Sequence, residues 1–250
     1  MLKNSILDIK DLRKIYHTRL GETLAVDSFS LSLSDGEFVA IVGPSGCGKS
    51  TILSILCGLE NKSGGHIIRN NNITLGYMLQ EDCLFPWKTI LENCLLGLKI
   101  KGNITKEDLN YVNHLLDTYG LKDFKNSYPR NLSGGMKQRV ALIRTLALKP
   151  DILLLDEPFS ALDYTSRLSI SDDIYNILKK EKKSIIMVTH DIAEAISMCD
   201  RVVVLSKRPS IIKNIYDIKL SNKKGPIHNR NTKEFPIYYD KIWKDIDFHV

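Results

Sequence analysis

The stretch "GPSGCGKST", Gly43 to Thr51, sets glycines, a lysine and hydroxyls at the spacing G-x-x-x-x-G-K-[ST]. Glycines there let backbone N–H groups curl around phosphate oxygens, and the start of a following helix adds the positive end of its dipole. Lys49 is suited to bridge β- and γ-phosphates, and Ser50 to offer a hydroxyl to Mg²⁺. Further along, the apolar run "ILLLDEP" ends in Asp156 and Glu157. An acid at the end of a buried strand belongs beside the metal, and the next acid is placed to orient a water as general base. A third apolar run, "SIIMVTH", ends in His190. The segment "NLSGG", Asn131 to Gly135, opens another helix with a glycine pair, so the chain carries two anion-binding helix starts.

The elements that must hold these groups follow from hydropathy. "EFVAIVG", "DILLLD", "SIIMVTH" and "RVVVLS" are short runs rich in Ile, Val and Leu, the pattern of strands buried on both faces of a mostly parallel sheet. Before them, "ILDIKDL" and "FSLSLSDG" alternate apolar and polar positions, which predicts antiparallel strands with a solvated face and a turn at Asp35-Gly36. "TILSILCGL" supplies the helix after the glycine loop. Between the first two buried strands the clearest helix runs from Thr105 to Tyr119. Thr105 and Asp108 form a capping box, Leu109, Val112, Leu115, Leu116 and Tyr119 make one stripe, and Gly120 stops it. From about Ile211 the chain turns polar, and "SNKKGPIHNRNTKEFP" reads as an exposed crossing loop before a short terminal helix with Trp243.

Composition narrows the class without naming a partner. The net charge of +6 comes from scattered lysines and short runs such as "KKEKK", so no nucleic-acid partner is expected. Five cysteines without a CxxC pair suit a reducing compartment. No apolar run approaches the roughly 18 residues that span a bilayer, and "MLKNSILDIKDLRK" lacks a signal-peptide core, so a soluble intracellular chain is expected.

Together these motifs resemble those of an ATP-binding cassette ATPase, the nucleotide-binding subunit of an ABC transporter. "GPSGCGKST" is similar to its Walker A loop, Gln80 in "YMLQED" to its Q-loop glutamine and "LSGGM", Leu132 to Met136, to its signature. "ILLLDEP" resembles Walker B, "SALD", Ser160 to Asp163, the D-loop, and His190 the switch histidine. Tyr16 in "LRKIYHT" falls where the family stacks an aromatic ring on adenine.

The resemblance implies a P-loop NTPase core of mostly parallel sheet, an N-terminal antiparallel β subdomain and an inserted α-helical lobe. ATP and Mg²⁺ are the implied cofactors. Glu157, His190, Gln80 and Lys49 are the implied catalytic residues, with Ser50, Gln80 and Asp156 at the metal. Nucleotide contacts are expected from Tyr16, Gly43, Pro44, Ser45, Gly46, Cys47, Gly48, Lys49, Ser50 and Thr51, and from Ser133, Gly134, Gly135 and Asp163. In the family the signature of one cassette faces the γ-phosphate held by the Walker A loop of another. The second helix start is thus expected to serve a second copy of the chain.

The expected organisation is an ATPase domain over residues 1–210, its helical lobe at about 81–140, and a tail over 211–250 packed on the core with no separate regulatory domain. Met136 departs from the usual signature Gln. "QEDCLFPWKTILENCLLGL", "VLSKRP" and "FPIYYDKIWKDI" resemble the importer ATPases for nitrate, sulfonates, taurine and thiamine-precursor pyrimidines. This implies a peripheral subunit on the cytoplasmic face of the membrane, working with permease subunits and, indirectly, an extracytoplasmic solute-binding protein. Phe85, Pro86 and Trp87 are expected at the rim of a groove for a permease helix. A small-molecule kinase would lack the signature, D-loop and switch histidine. A non-transport ABC ATPase with a soluble partner is the alternative.

Overall fold

The computed structural model describes residues 5–246 apart from 20, 71 and 161. Two long strands, β1 (Ser5–Thr18) and β2 (Gly21–Ser34), pair antiparallel, and β4 (Gly64–Arg69) adds to the free edge of β1. The second sheet contains β3 (Phe38–Val42), β5 (Leu75–Met78), β6 (Ile152–Asp156), β7 (Ser184–Val188), β8 (Arg201–Leu205) and β9 (Ile212–Asp217). Its order is β5-β6-β7-β3-β8-β9, parallel except for β9.

The unbroken apolar runs are explained by two cores, one on each face. Phe38, Ala40 and Val42 of β3, Leu153 and Leu155 of β6 and Val202 and Val204 of β8 pack toward the helical side. Their neighbours Val39, Ile41, Ile152, Leu154, Val203 and Leu205 pack toward the antiparallel sheet, with the helix α1 (Lys49–Leu56) between. Each strand therefore needs apolar residues at odd and even positions alike.

The helical side is built from α2 (Ile90–Lys101), α3 (Lys106–Thr118) and α4 (Gly134–Leu146). The capping box of α3 forms as the sequence predicts, and Gly120 adopts φ +67°, the left-handed conformation that ends a helix. Leu109 corrects the expected stripe: it lies over a third exposed, one turn too early to reach the core that buries Val112, Leu115 and Leu116. A second capping box, Thr89 with Glu92, starts α2. The remaining helices are α5 (Tyr164–Lys180), α6 (Ile192–Met198), α7 (Pro226–Asn229) and α8 (Glu234–Asp245).

Two expectations for the C-terminal part are corrected. The polar run after Ile211 begins inside the sheet, where β9 pairs antiparallel with β8 as its edge strand. The supposed exposed loop folds into α7, and Asn229 is fully buried, donating its amide to Ser197 O at 2.7 Å and accepting from Lys224 N at 3.0 Å. A buried, satisfied Asn fastens the segment to α6, which a hydropathy scan has no means to register. No helix among the described residues is long and apolar enough to cross a membrane.

Candidate functional site

Four of the five parallel strands deliver chemistry at their C-terminal ends, the edge where open α/β sheets bind ligands. The glycine loop follows β3, Gln80 follows β5, Asp156 closes β6 and His190 follows β7. Pairing sets their relative heights: Asp156 lies opposite Val188, and Glu157 N donates to Val188 O at 2.9 Å.

The glycine loop is fixed from outside. Gly48 has φ +119°, and a Cβ there would stand 3.2 Å from Ala25 O and from Ser210 Oγ, so the position needs glycine for both backbone and space. A Cβ on Gly43 would meet Leu205 at 3.1 Å. Cys47 is buried, and burial pushes its thiol up, which keeps it a packing residue rather than a thiolate. Lys49 is buried too and donates to Gly43 O at 2.9 Å and Pro44 O at 3.0 Å, lying across the mouth of its own loop.

Beside it, Ser50 Oγ donates to Asp156 Oδ1 at 3.0 Å, and Tyr77 OH donates to Asp156 Oδ2 at 3.0 Å. Burial raises the Asp156 carboxyl above the usual range, against the pull of these two hydrogen bonds. Burial, with the nearby Asp156 charge, raises the Tyr77 phenol as well, so Tyr77 stays a donor. A hydroxyl and a buried carboxylate side by side suit a hard cation that keeps its other ligands as water and phosphate, as Mg²⁺ does. Among the described residues there is no cluster of three or more His, Cys, Asp or Glu of the kind that holds a metal by protein alone.

Glu157 is the meeting point of two distant loops. Gln80 Nε2 donates to Glu157 Oε2 at 3.2 Å, and His190 Nδ1 lies 3.2 Å from the same oxygen. Gln80 therefore sits on Glu157, and no hydrogen bond joins it to Ser50 or Asp156. Glu157 itself has φ +45°, a left-handed backbone that is uncommon outside glycine and costs on the order of 1 kcal/mol. Its N–H bond to Val188 holds it there, and Ser160 Oγ donates to Glu157 O at 3.1 Å from the following turn.

Tyr16 stands at the edge of this site. It is half-buried on β1, its OH lies 3.4 Å from Thr51 Oγ1, and Lys14 Nζ covers its ring at 4.6 Å from the centroid. The sequence-named Tyr16, the loop Gly43–Thr51, Gln80, Asp156, Glu157 and His190 are thus gathered at one edge.

Ser133, Gly135 and Asp163 lie apart from that cluster, and Gly134 meets it only at its border, lining with Gln80 and Ser160 a depression of about 600 Å³ to which no residue of the glycine loop contributes. Ser133 caps α4, its Oγ accepting from Met136 N at 3.3 Å, while Ser133 and Gly134 remain exposed. They line a depression of about 340 Å³ with Met136, Arg139, Leu162 and Asp163, to which no residue of the glycine loop contributes. Asp163 caps α5, accepting from Ser166 N at 3.0 Å and Thr165 Oγ1 at 2.7 Å. These bonds hold its carboxyl well below the usual range. Ala161 of the same turn lies outside the described residues.

Several supports were not legible beforehand. Arg208 Nη2 donates to Gly46 O at 2.7 Å, bracing the glycine loop from the β8–β9 turn. Arg144 on α4 donates to Cys83 O at 2.7 Å and Asp82 O at 2.6 Å. Fully buried Asn93 on α2 accepts from Phe85 N at 2.8 Å and donates to Phe85, Lys88 and Thr89 carbonyls. The loop after Gln80 is therefore fastened to the helical side, and it presents Trp87, 69% exposed and 5.2 Å from the Phe85 ring. Only the buried-polar Asn in "LENCL" offered a local hint.

Comparison with known proteins agrees with this geometry. A family model described as "ABC transporter" matches residues 26–160. An uncharacterized ABC transporter ATP-binding protein of Bacillus subtilis, YtlC, is 42% identical over 97% of this chain and 96% of its own length. The nitrate import ATP-binding protein NrtD of Synechocystis sp. is 39% identical, covering 94% of this chain and 93% of that protein. The aliphatic sulfonates import ATP-binding protein SsuB of Bacillus cereus is 36% identical over 97% and 96%. Among solved structures, the dimeric ABC transporter cassette MJ0796 superposes with a TM-score of 0.73 at 29% identity, over 85% of this chain and 99% of that one. A post-hydrolysis form of MJ0796 bound to ADP and Pi gives 0.73 at 30% identity.

Proposed function

Since the chain belongs to the ABC transporter family as an ATP-binding, ATP-hydrolysing protein, we propose that two copies close around ATP and drive a separate membrane permease that imports a small solute. The observation that carries this is the separation of two anion-binding helix starts. The glycine loop and Glu157 sit at the sheet edge, while Ser133–Gly135 line a different depression with the D-loop turn. One chain holds both halves of a phosphate site but does not bring them together, and a two-fold partner does.

Each half has a stated task. Gly43–Ser50 hold the β- and γ-phosphates through backbone N–H groups, Lys49 turns from its own loop carbonyls to the phosphate, and Tyr16 stacks on the base. Ser50 and Asp156 would hold Mg²⁺, which would supply positive charge to neutralise the phosphate being cleaved. Glu157 takes a proton from the attacking water, and Gln80 and His190 fix the orientation of its carboxylate and of the water. From the partner, Ser133, Gly134 and Gly135 close on the γ-phosphate with the α4 dipole behind them, and Asp163 with its turn completes the contact. Loss of the γ-phosphate releases that contact, so hydrolysis opens the dimer.

The transport reading rests on Trp87, an exposed indole backed by the half-buried Phe85 ring on the loop that leaves Gln80, a suitable anchor for a permease helix on the cytoplasmic face. The likeness to NrtD and SsuB supports nitrate or an aliphatic sulfonate as the solute; the resemblance of the sequence motifs extends the range to taurine and pyrimidines, delivered by an extracytoplasmic binding protein. The test is Glu157→Gln with Mg-ATP. Hydrolysis should fall by about 10²- to 10⁴-fold while ATP binding persists, and the chain should elute as a dimer. A variant that hydrolyses near the native rate, or stays monomeric with ATP bound, contradicts the assignment.

A further inference from the structure

One guanidinium joins the turn at Leu162–Asp163 to the turn that carries His190. Arg167 lies in the first turn of α5, and its side chain points back toward the turn that precedes the helix. Nη2 donates to Leu162 O at 3.0 Å, Nη1 lies 3.3 Å from Asp191 Oδ2, and Nε lies 3.7 Å from Glu194 Oε1. Glu194 is 3% exposed and accepts from Thr189 Oγ1 at 2.8 Å. Thr189 Oγ1 in turn accepts from Asp191 N at 3.0 Å. Both neighbours of His190 in the chain are therefore tied to Arg167, Asp191 by a direct hydrogen bond and Thr189 through Glu194, which meets Arg167 as an ion pair without a hydrogen bond to Nε.

His190 is the exposed residue between these two anchors, and it reaches Glu157 at 3.2 Å. The other end of the tie, Leu162, lines the same depression as Ser133–Met136. A rigid, planar fork with several donors is the side chain suited to hold a carbonyl and two carboxylates at fixed relative positions.

We propose that Arg167 is a positioning residue for ATP hydrolysis, a strut that sets His190 against Glu157 according to where the Leu162–Asp163 turn lies. It rests on the reading of Glu157 and His190 given above. A partner copy seated at Ser133–Gly135 presses on Leu162 and Asp163, and the strut passes that displacement to His190 in the same chain. Hydrolysis thereby depends on the partner being in place, with no contact between Arg167 and the nucleotide.

The experiment measures single-turnover ATP hydrolysis and ATP affinity of the full chain with Arg167→Ala and Arg167→Lys, each in the native and the His190→Ala background. Arg167→Ala should slow hydrolysis by about tenfold with affinity changed less than twofold, the loss expected from a sub-ångström misplacement of a reacting group. Arg167→Lys should recover part of the rate, because an ammonium reaches Asp191 but does not hold Leu162 O at the same time. In the His190→Ala background Arg167→Ala should cost less than a further twofold, since residues acting as one unit are not additive. Equal slowing in both backgrounds overturns the strut alone. A His190→Ala chain with native hydrolysis overturns the role of His190 and the strut with it. Should Arg167→Ala not fold, Glu194→Gln replaces it in the same two backgrounds, with the same non-additivity expected and the same additivity contradicting.

Discussion

The chain carries two glycine-bearing helix starts, and they differ in how much of the protein supports them. At α1, Lys49 and Cys47 are buried, Gly48 is packed against β2 and the β8–β9 turn, and Arg208 braces Gly46. At α4, Ser133 and Gly134 are exposed, the capping bond is internal to the helix, and the adjoining depression is open. The same physical device is thus a finished site in one place and a bare surface in the other. A helix N-terminus alone attracts anions weakly, and it becomes a binding site only when other groups exclude water and fix the ligand. The first has those groups within its own chain. In the proposed dimer, the second receives them from the partner copy.

Substitutions in the two regions should therefore fail in different ways. The largest effect is expected at the finished site. Lys49→Ala removes a charge-assisted phosphate contact of about 1.5 to 3 kcal/mol, so ATP affinity of the lone chain should drop by roughly 10- to 150-fold in a titration. Unchanged affinity would mean that the loop is not the primary phosphate site.

At the exposed Trp87 the effect should appear only when a partner is present. Trp87→Ala should leave the melting temperature and ATP hydrolysis of the isolated chain nearly unchanged, because the indole is 69% exposed. It should weaken capture of the permease in detergent by about 2 kcal/mol, the cost typical of truncating an aromatic anchor. A large loss of melting temperature with permease capture intact would assign Trp87 to the fold instead.

A third effect belongs to the interior and should not depend on protein concentration. Burial, reinforced by the Asp191 charge, raises the Glu194 carboxyl from 4.5 to about 7, although Thr189, Arg167 and Arg230 oppose the rise. Between those values the native chain binds more protons than the unfolded one, so stability falls as pH climbs through 4.5 to 7. The slope is at most about 1.4 kcal/mol per pH unit. Glu194→Gln should flatten that part of the melting-temperature profile, and an unaltered profile would show that Glu194 is ionised throughout.

The smallest effect is at Ser133. Ser133→Ala deletes the cap of α4 and should cost about 1 kcal/mol of stability while leaving ATP affinity of the lone chain as it was. A matching fall in that affinity would place the signature at its own chain's nucleotide and erase the contrast.

The distinction between the two regions was partly legible in the sequence. β3, β6, β7 and β8 announce themselves as apolar runs because two cores bury both their faces, and the motif residues stand at their ends. Strands β4 and β5 escaped, one being glycine-led and mostly half-exposed, the other only four residues long. β9 escaped because an edge strand with exposed Lys213 and Asn214 looks like a polar loop. The supports of the site were hidden for another reason. Arg208 and Gly46 are 162 residues apart, Arg144 and Asp82 are 62 apart, and Arg167 and Asp191 are 24 apart. Such bonds follow from strand order, which local periodicity does not encode.

The direct test of the shared site mixes two variants that each fail alone, Lys49→Ala and Ser133→Arg. Each homodimer has both of its sites damaged. A mixed dimer formed in trans has one site with both defects and one with every part intact, so ATP-dependent association, read by light scattering, should return when the two are combined. If each chain used its own signature, every site in the mixture would remain damaged. Association no greater than that of either variant alone would then contradict the account.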